Sequence, residues 1–143
     1  MSHFEMHFRA EYIDTDAMGI VHHASYWRWF ERARVEWLRH MGMPYGALEA
    51  EGWGLPLRDA AIEYHQPLRF DDEATVHLSL GEMAQSTIRL DYRILKQGRL
   101  VVAGSTTHVA CRRSETEGSV KWAPRRIPNE WREKWQQLSA KKS

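Results

Sequence analysis

Tyr26, Phe30, Ala33, Trp37 and Met41 recur at intervals of three and four. That spacing predicts one long amphipathic helix, with Gly42 and Pro44 as its stop. Pro44 also suits the first turn of a short second helix over 44–51. The rest of the chain follows a period of two. Phe4, Met6, Phe8, Ala10 and Tyr12 alternate with His3, Glu5, His7, Arg9 and Glu11. Val76, Leu78 and Leu80 alternate, as do Ile88, Leu90, Tyr92 and Ile94, and residues 55–68 and 99–112 are strongly strand-prone. Short breaks at Asp71-Asp72, Ala84-Gln85-Ser86 and Gln97-Gly98 favour antiparallel hairpins.

The expected outline is a strand, a long helix and then four strands, an α+β chain whose sheet packs one face on the helix. One helix covers only part of such a sheet, so self-association is expected. Trp131 and Trp135 stand four apart, as on a short docking helix, and residues 136–143 are expected to fray. The 143 residues suit one domain with a single core. No repeat or linker interrupts them.

Composition excludes several functions. The net charge is +1 with neutral histidines, which does not favour a general nucleic-acid binder. No apolar run is long enough to span a bilayer, and the N-terminus lacks a signal-peptide core. The one cysteine, Cys111, rules out an internal disulfide and fits a reducing compartment, so a cytoplasmic location is expected. Cys111 lies in a strand pattern and reads as a buried apolar residue. Eight histidines raise the question of a metal. His22 and His23 are adjacent, however, and neighbours on a helix do not face one ion. There is no His-Glu-x-x-His pattern. No metal and no cofactor is expected.

The segment from Asp14 to Tyr26, Asp-Thr-Asp-Ala-Met-Gly-Ile-Val-His-His-Ala-Ser-Tyr, places carboxylates, a glycine turn and two histidines just before the helical stripe. A helix start offers unpaired backbone N–H groups and partial positive charge. A carboxylate beside it can act as base or nucleophile, and a substrate carbonyl there would be polarised. The combination points to acyl chemistry.

This segment, with Phe30-Glu31-Arg32-Ala33-Arg34, Leu55-Pro56-Leu57, the run from Ile62 to Asp72 and Pro124-Arg125-Arg126-Ile127-Pro128, resembles the hotdog-fold acyl-CoA thioesterases. Within that fold it is similar to the 4-hydroxybenzoyl-CoA thioesterase group and to the thioesterases of the Tol-Pal cluster. The resemblance spans roughly residues 7 to 135. It implies a sheet wrapped around a central helix, association into dimers or tetramers, and hydrolysis of an acyl-CoA to a free acid and coenzyme A. It places Asp16 at the family's catalytic carboxylate, as general base or as nucleophile. It also puts Tyr12, which the alternation sets on the apolar face of the first strand, near that carboxylate.

Gly19 would permit a positive φ or a close approach to the thioester. The backbone N–H of His23 is the candidate oxyanion donor, and its imidazole could orient water or Asp16. Asp14 reads as a turn-shaping residue. Glu31 is an alternative carboxylate, but an ion pair with Arg34 or Arg32 suits it better. The excess of positive charge over 112–126 makes Arg112, Arg113, Arg125 and Arg126 candidates for the phosphates of coenzyme A, with Arg58 and Arg89 behind them. The acyl group stays open between aromatic and aliphatic. Two other classes share the fold: acyl-thioester dehydratases or hydratases, and non-catalytic acyl-CoA-binding modules.

Overall fold

The computed structural model describes residues 3–140. Chain order is β1 (Phe4–Arg9), a single 3-10 turn (Tyr12–Asp14), α1 (His23–His40), α2 (Tyr45–Ala50), β2 (Trp53–Gly54), β3 (Leu57–Tyr64), β4 (Glu73–Met83), β5 (Thr87–Lys96), β6 (Arg99–Val109), β7 (Cys111–Thr116), β8 (Ser119–Pro124) and α3 (Asn129–Ala140). Five strands form one antiparallel sheet in the order β1-β4-β5-β6-β3. The remaining three form a smaller sheet, β2-β7-β8.

The helical stripe is the core. Tyr26, Trp29, Phe30, Ala33 and Trp37 of α1 are buried against Val76 and Leu78 of β4 and Leu90, Tyr92 and Ile94 of β5. Phe30 stacks on Tyr92 at 4.3 Å between centroids, and Phe8 stacks on Trp29 at 4.1 Å. Removing one such ring typically costs about 3–5 kcal/mol. Helix and sheet approach so closely that Gly104 of β6 has no room for a side chain. A Cβ there would lie 2.7 Å from the ring of Phe30 and 2.9 Å from the carbonyl of Ala61. This is the α+β hotdog arrangement.

Two hairpins close on paired positive-φ residues, Gln97-Gly98 (φ 51° and 76°) and Glu117-Gly118 (φ 50° and 80°), the type I′ geometry that matches strand twist. The second hairpin corrects the sequence outline. The expected strand over 99–112 ends at Val109, and the chain re-enters pairing at Cys111 as part of a different sheet. The basic stretch after it is not a loop but the β7–β8 ribbon.

The chain end also differs from expectation. Trp131, Trp135 and Leu138 of α3 are buried, and the tail expected to fray from residue 136 is helical as far as Ala140. Residues 141–143 lie outside the described residues. Trp131 packs on Trp53 at 4.7 Å and Trp135 on Trp37 at 5.8 Å, so α3 joins the small sheet to α1. Among the described residues no helix is long and apolar enough to cross a membrane.

Candidate active site

Residues 14–22 fold back on themselves between β1 and α1. The N–H of Asp16 donates to the carbonyl of Ile20 at 2.9 Å, and that of His22 to the carbonyl of Asp14 at 2.7 Å. The N–H of Val21 donates to the carbonyl of Leu68 at 2.8 Å, which ties this small loop to the connection between β3 and β4. Its tip is a turn from Asp16 to Gly19. The carbonyl of Asp16 accepts from the N–H of Gly19 at 3.0 Å, and Oδ1 of Asp16 accepts from the N–H of Met18 at 2.8 Å. Gly19 closes the turn at φ +79°, a conformation that side-chain-bearing residues rarely adopt.

The two aspartates of this loop have opposite surroundings. Asp14 is 2 % exposed. Its Oδ1 accepts from Ser25 Oγ at 2.9 Å and from the Arg28 guanidinium, and its Oδ2 accepts from the N–H of Glu11 at 2.7 Å. Burial works to raise its pKa. The bonds from Glu11, Ser25 and Arg28 together outweigh burial and hold the carboxyl below the usual range. Asp14 thus shapes the loop, as expected. Asp16 is exposed at the tip. One of its oxygens serves the turn, and Oδ2 has no protein partner among the described residues.

That carboxylate opens on a cleft of about 430 Å³ whose lining includes Asp16, Val21, His23, Tyr26, Tyr64 and Gln66. His23 is the first residue of α1. Its neighbour His22 is the N-cap, whose Nδ1 accepts from the N–H of Ala24 at 3.1 Å, and Ser25 N–H returns to the carbonyl of His22 at 3.0 Å. In this first turn the N–H of His23 is left without a partner among the described residues. Tyr26, one turn further on, packs edge-on against Tyr64 at 5.7 Å, and burial raises the pKa of its phenol. Tyr26, Tyr64 and Gln66 complete the wall and were not singled out from the sequence. Tyr26 was hidden because its spacing marks it equally as core.

Other expected residues fall elsewhere. Tyr12 does not reach the apolar face. β1 ends at Arg9, the chain turns, and Tyr12 stands 78 % exposed with its ring 5.7 Å from that of Phe70. Glu31 is exposed and makes no ion pair among the described residues. Its expected partner Arg34 instead donates to the hydroxyl of Tyr92 at 3.2 Å. Arg58 and Arg89 line a second, polar cleft of about 470 Å³, but each is paired to carboxylates: Arg58 to Asp59, and Arg89 to Asp91 and Glu82.

Arg112, Arg113, Arg125 and Arg126 are all exposed on or just after the β7–β8 ribbon, and none lines the Asp16 cleft. Arg112 and Arg113 are consecutive on a strand and project to opposite faces, so they do not grip one phosphate together. Arg112 is already engaged, 5.4 Å over the ring of Trp53 and donating to the carbonyl of Glu51 at 3.3 Å.

An open carboxylate, a positive-φ turn and a free helix-start N–H on one cleft are the parts of a site that attacks a carbonyl. Residues 11–135 match the family model of the thioesterase-like superfamily, and the chain belongs to that family. It is 33% identical over 125 residues to the acyl-CoA thioester hydrolase YbgC of Escherichia coli O6:H1, covering 87% of this chain and 90% of that protein. The crystal structure of a hypothetical protein from Aquifex aeolicus superimposes with a TM-score of 0.83 at 36% identity, over 92% of this chain and 98% of that one. A gentisyl-coenzyme A thioesterase structure does so with a TM-score of 0.79 at 29% identity, over 92% and 98%.

Proposed function

We propose that this chain hydrolyses the thioester bond of an acyl-CoA, with Asp16 as its catalytic carboxylate. The observation that carries the reading is the shared cleft of Asp16 and the helix start at His23. The thioester carbonyl accepts a hydrogen bond from the His23 N–H, which draws electron density from the carbon. Asp16 takes a proton from water as the water oxygen bonds to that carbon. The resulting oxyanion is held by the same N–H. Collapse re-forms the carbonyl, breaks the carbon–sulfur bond and releases coenzyme A, whose sulfur recovers the proton. In the second route Asp16 itself bonds to the carbon, coenzyme A leaves, and water cleaves the mixed anhydride. Gly19 closes the tip turn at a positive φ, with open space where a side chain would stand. Tyr12 enters the site only if a second chain or the substrate folds over its exposed ring.

The active unit is a homo-oligomer in this proposal. β3 is an edge strand, exposed along most of its length, with Leu57 and Tyr64 on the surface. The cleft lies against the end of β3, so a second copy pairing along that edge would wall it. Arg113, Arg125 and Arg126, which make no ion pair among the described residues, are the proposed contacts for the nucleotide phosphates. A cytoplasmic location belongs to the same proposal and is supported by the free, buried Cys111.

The test is a panel of short, long and aromatic acyl-CoA esters with free-thiol detection, with and without a chelator. Turnover of at least one ester is expected, unaffected by the chelator. No turnover of any ester would end the reading. Light scattering at micromolar concentration checks assembly, with a dimer or tetramer expected.

A further inference from the structure

The outer face of the sheet carries a cluster that chain spacing does not reveal. Met6 and Phe8 of β1 point to the core, so Glu5 and His7 point outward, as does His3 just before the strand. Across the ladder Glu5 stands opposite His77 of β4. The result is a trio of ligand atoms, one each from His3, Glu5 and His77, all within 4.8 Å of one another. Nε2 of His3 lies 2.9 Å from Oε2 of Glu5, and Nε2 of His77 lies 3.9 Å from Oε1 of the same carboxylate. The two imidazoles stack at 4.2 Å with 9° between their planes.

These distances can be compared with what a zinc ion demands. Bonds of about 2.0–2.2 Å in tetrahedral directions put neighbouring ligand atoms about 3.3–3.5 Å apart. The two observed separations bracket that value. Rotation of the rings out of their parallel stack would aim both Nε2 lone pairs at one point beside the carboxylate. Two imidazoles and one carboxylate suit zinc rather than calcium or magnesium, which prefer oxygen ligands. The fourth direction faces solvent, since the three side chains are 15%, 41% and 24% exposed, which leaves room for water.

We propose that His3, Glu5 and His77 form a zinc site that staples the N-terminal end of β1 to β4. β1 is the outermost strand of its sheet, held only by β4, and His3 lies just before the first paired residue, Phe4 opposite Leu78. An ion there fixes the strand end most prone to open. The site stands at the start of β1, whereas the Asp16 turn follows its far end. The staple takes no part in hydrolysis, and the proposal does not rest on the thioesterase reading. His7 is the next outward residue and is held by Thr75 Oγ1 at 2.9 Å. It lies outside the ligand set. Arg93 stands opposite His77 on β5, and its charge works against a cation there.

The experiment is calorimetric titration of the full-length, tag-free, chelator-stripped protein with zinc chloride, alongside thermal melts. One zinc per chain is expected, with a melting midpoint that rises with zinc. His77→Ala should abolish saturable uptake. Glu5→Gln, which keeps the size and a polar partner for His3, should weaken it at least about tenfold, because the anionic ligand is gone. His7→Ala should bind as the parent does. Circular dichroism confirms that each variant is folded. Absence of saturable uptake by the parent, uptake that survives both His77→Ala and Glu5→Gln, or loss with His7→Ala would each overturn the assignment.

Discussion

The root and the tip of the 14–22 loop make an instructive pair. At the root, Asp14 is buried and both its oxygens are engaged by three donors. At the tip, two residues on, Asp16 is exposed and one oxygen is uncommitted. A saturated carboxylate is a structural anchor, because any proton or substrate must first displace its donors. An unsaturated one that shares a cleft with a free helix-start N–H is available for chemistry. The same division recurs on a larger scale. Deep in the core, the hydroxyl of Tyr92 meets Thr106 Oγ1 at 2.6 Å, His108 Nε2 lies 2.9 Å from the same Thr106 oxygen, and His108 Nδ1 reaches the carbonyl of Leu55 at 3.0 Å. That network is saturated by its own members and by Arg34, which donates to the Tyr92 hydroxyl at 3.2 Å, while the carboxylate at the Asp16 cleft keeps a free oxygen.

The sharpest way to break the comparison is to exchange the roles. Asp16→Asn keeps the turn bond to Met18 and should cost about 10²–10⁴-fold in kcat with the fold intact, measured by thiol release against a circular dichroism control. A near-native rate would move attention to Glu31. Asp14→Ala should do the reverse. It strands the Ser25 and Glu11 donors and should lower stability by about 3 kcal/mol, read as a denaturant midpoint. Activity should be lost only in proportion to unfolding.

The saturated network has a pH signature. Burial foremost, with the positive Arg34 nearby, lowers the His108 pKa from 6.5 to about 4. Between those values the unfolded chain binds a proton that the folded chain refuses, so stability is full above pH 6.5 and falls as pH drops toward 4. The expected loss is about 2–3 kcal/mol. Melting curves across that range should flatten in His108→Gln, and an unchanged slope would assign the acid sensitivity to other groups. The smallest effect is expected from His23→Ala. The backbone N–H survives that change, so kcat should fall less than about tenfold, whereas loss of an oxyanion donor would cost about 10²–10³-fold. A loss of the larger size would give the imidazole a direct part.

Much of this was legible in the residues. The stripe from Tyr26 to Met41 located α1, observed over His23–His40, because a helix that fills a core must repeat its apolar residues. The alternating runs located β4 and β5 for the same reason. The β7–β8 ribbon was missed because it is exposed on nearly every residue, so no apolar period marks it. Glu117-Gly118 was its one local signal. Tyr12 was misplaced because alternation continues past the point where pairing stops. The chain leaves the β1–β4 ladder after Arg9, and Ala10 bonds to Asp72 instead. The loop from Asp14 to His23 stood out through its residue types, and the resemblance already set Asp16 apart from a turn-shaping Asp14, but only the folded backbone shows which donors hold each carboxylate. The His3, Glu5 and His77 cluster lay beyond sequence reading altogether, since it depends on cross-strand register rather than on spacing along one chain.

The chain of indoles from Trp53 through Trp131 and Trp135 to Trp37 has an optical consequence. Its ring centres are 4.7, 5.7 and 5.8 Å apart in succession, and Trp135 at its middle is fully buried. Rings this close exchange excitation, and a dry indole emits at shorter wavelength than a wet one. Because two of the four belong to α3, release of that helix breaks the relay and wets its members together. The protein's own ultraviolet emission is therefore a built-in gauge of whether its last helix is seated, and it requires no label.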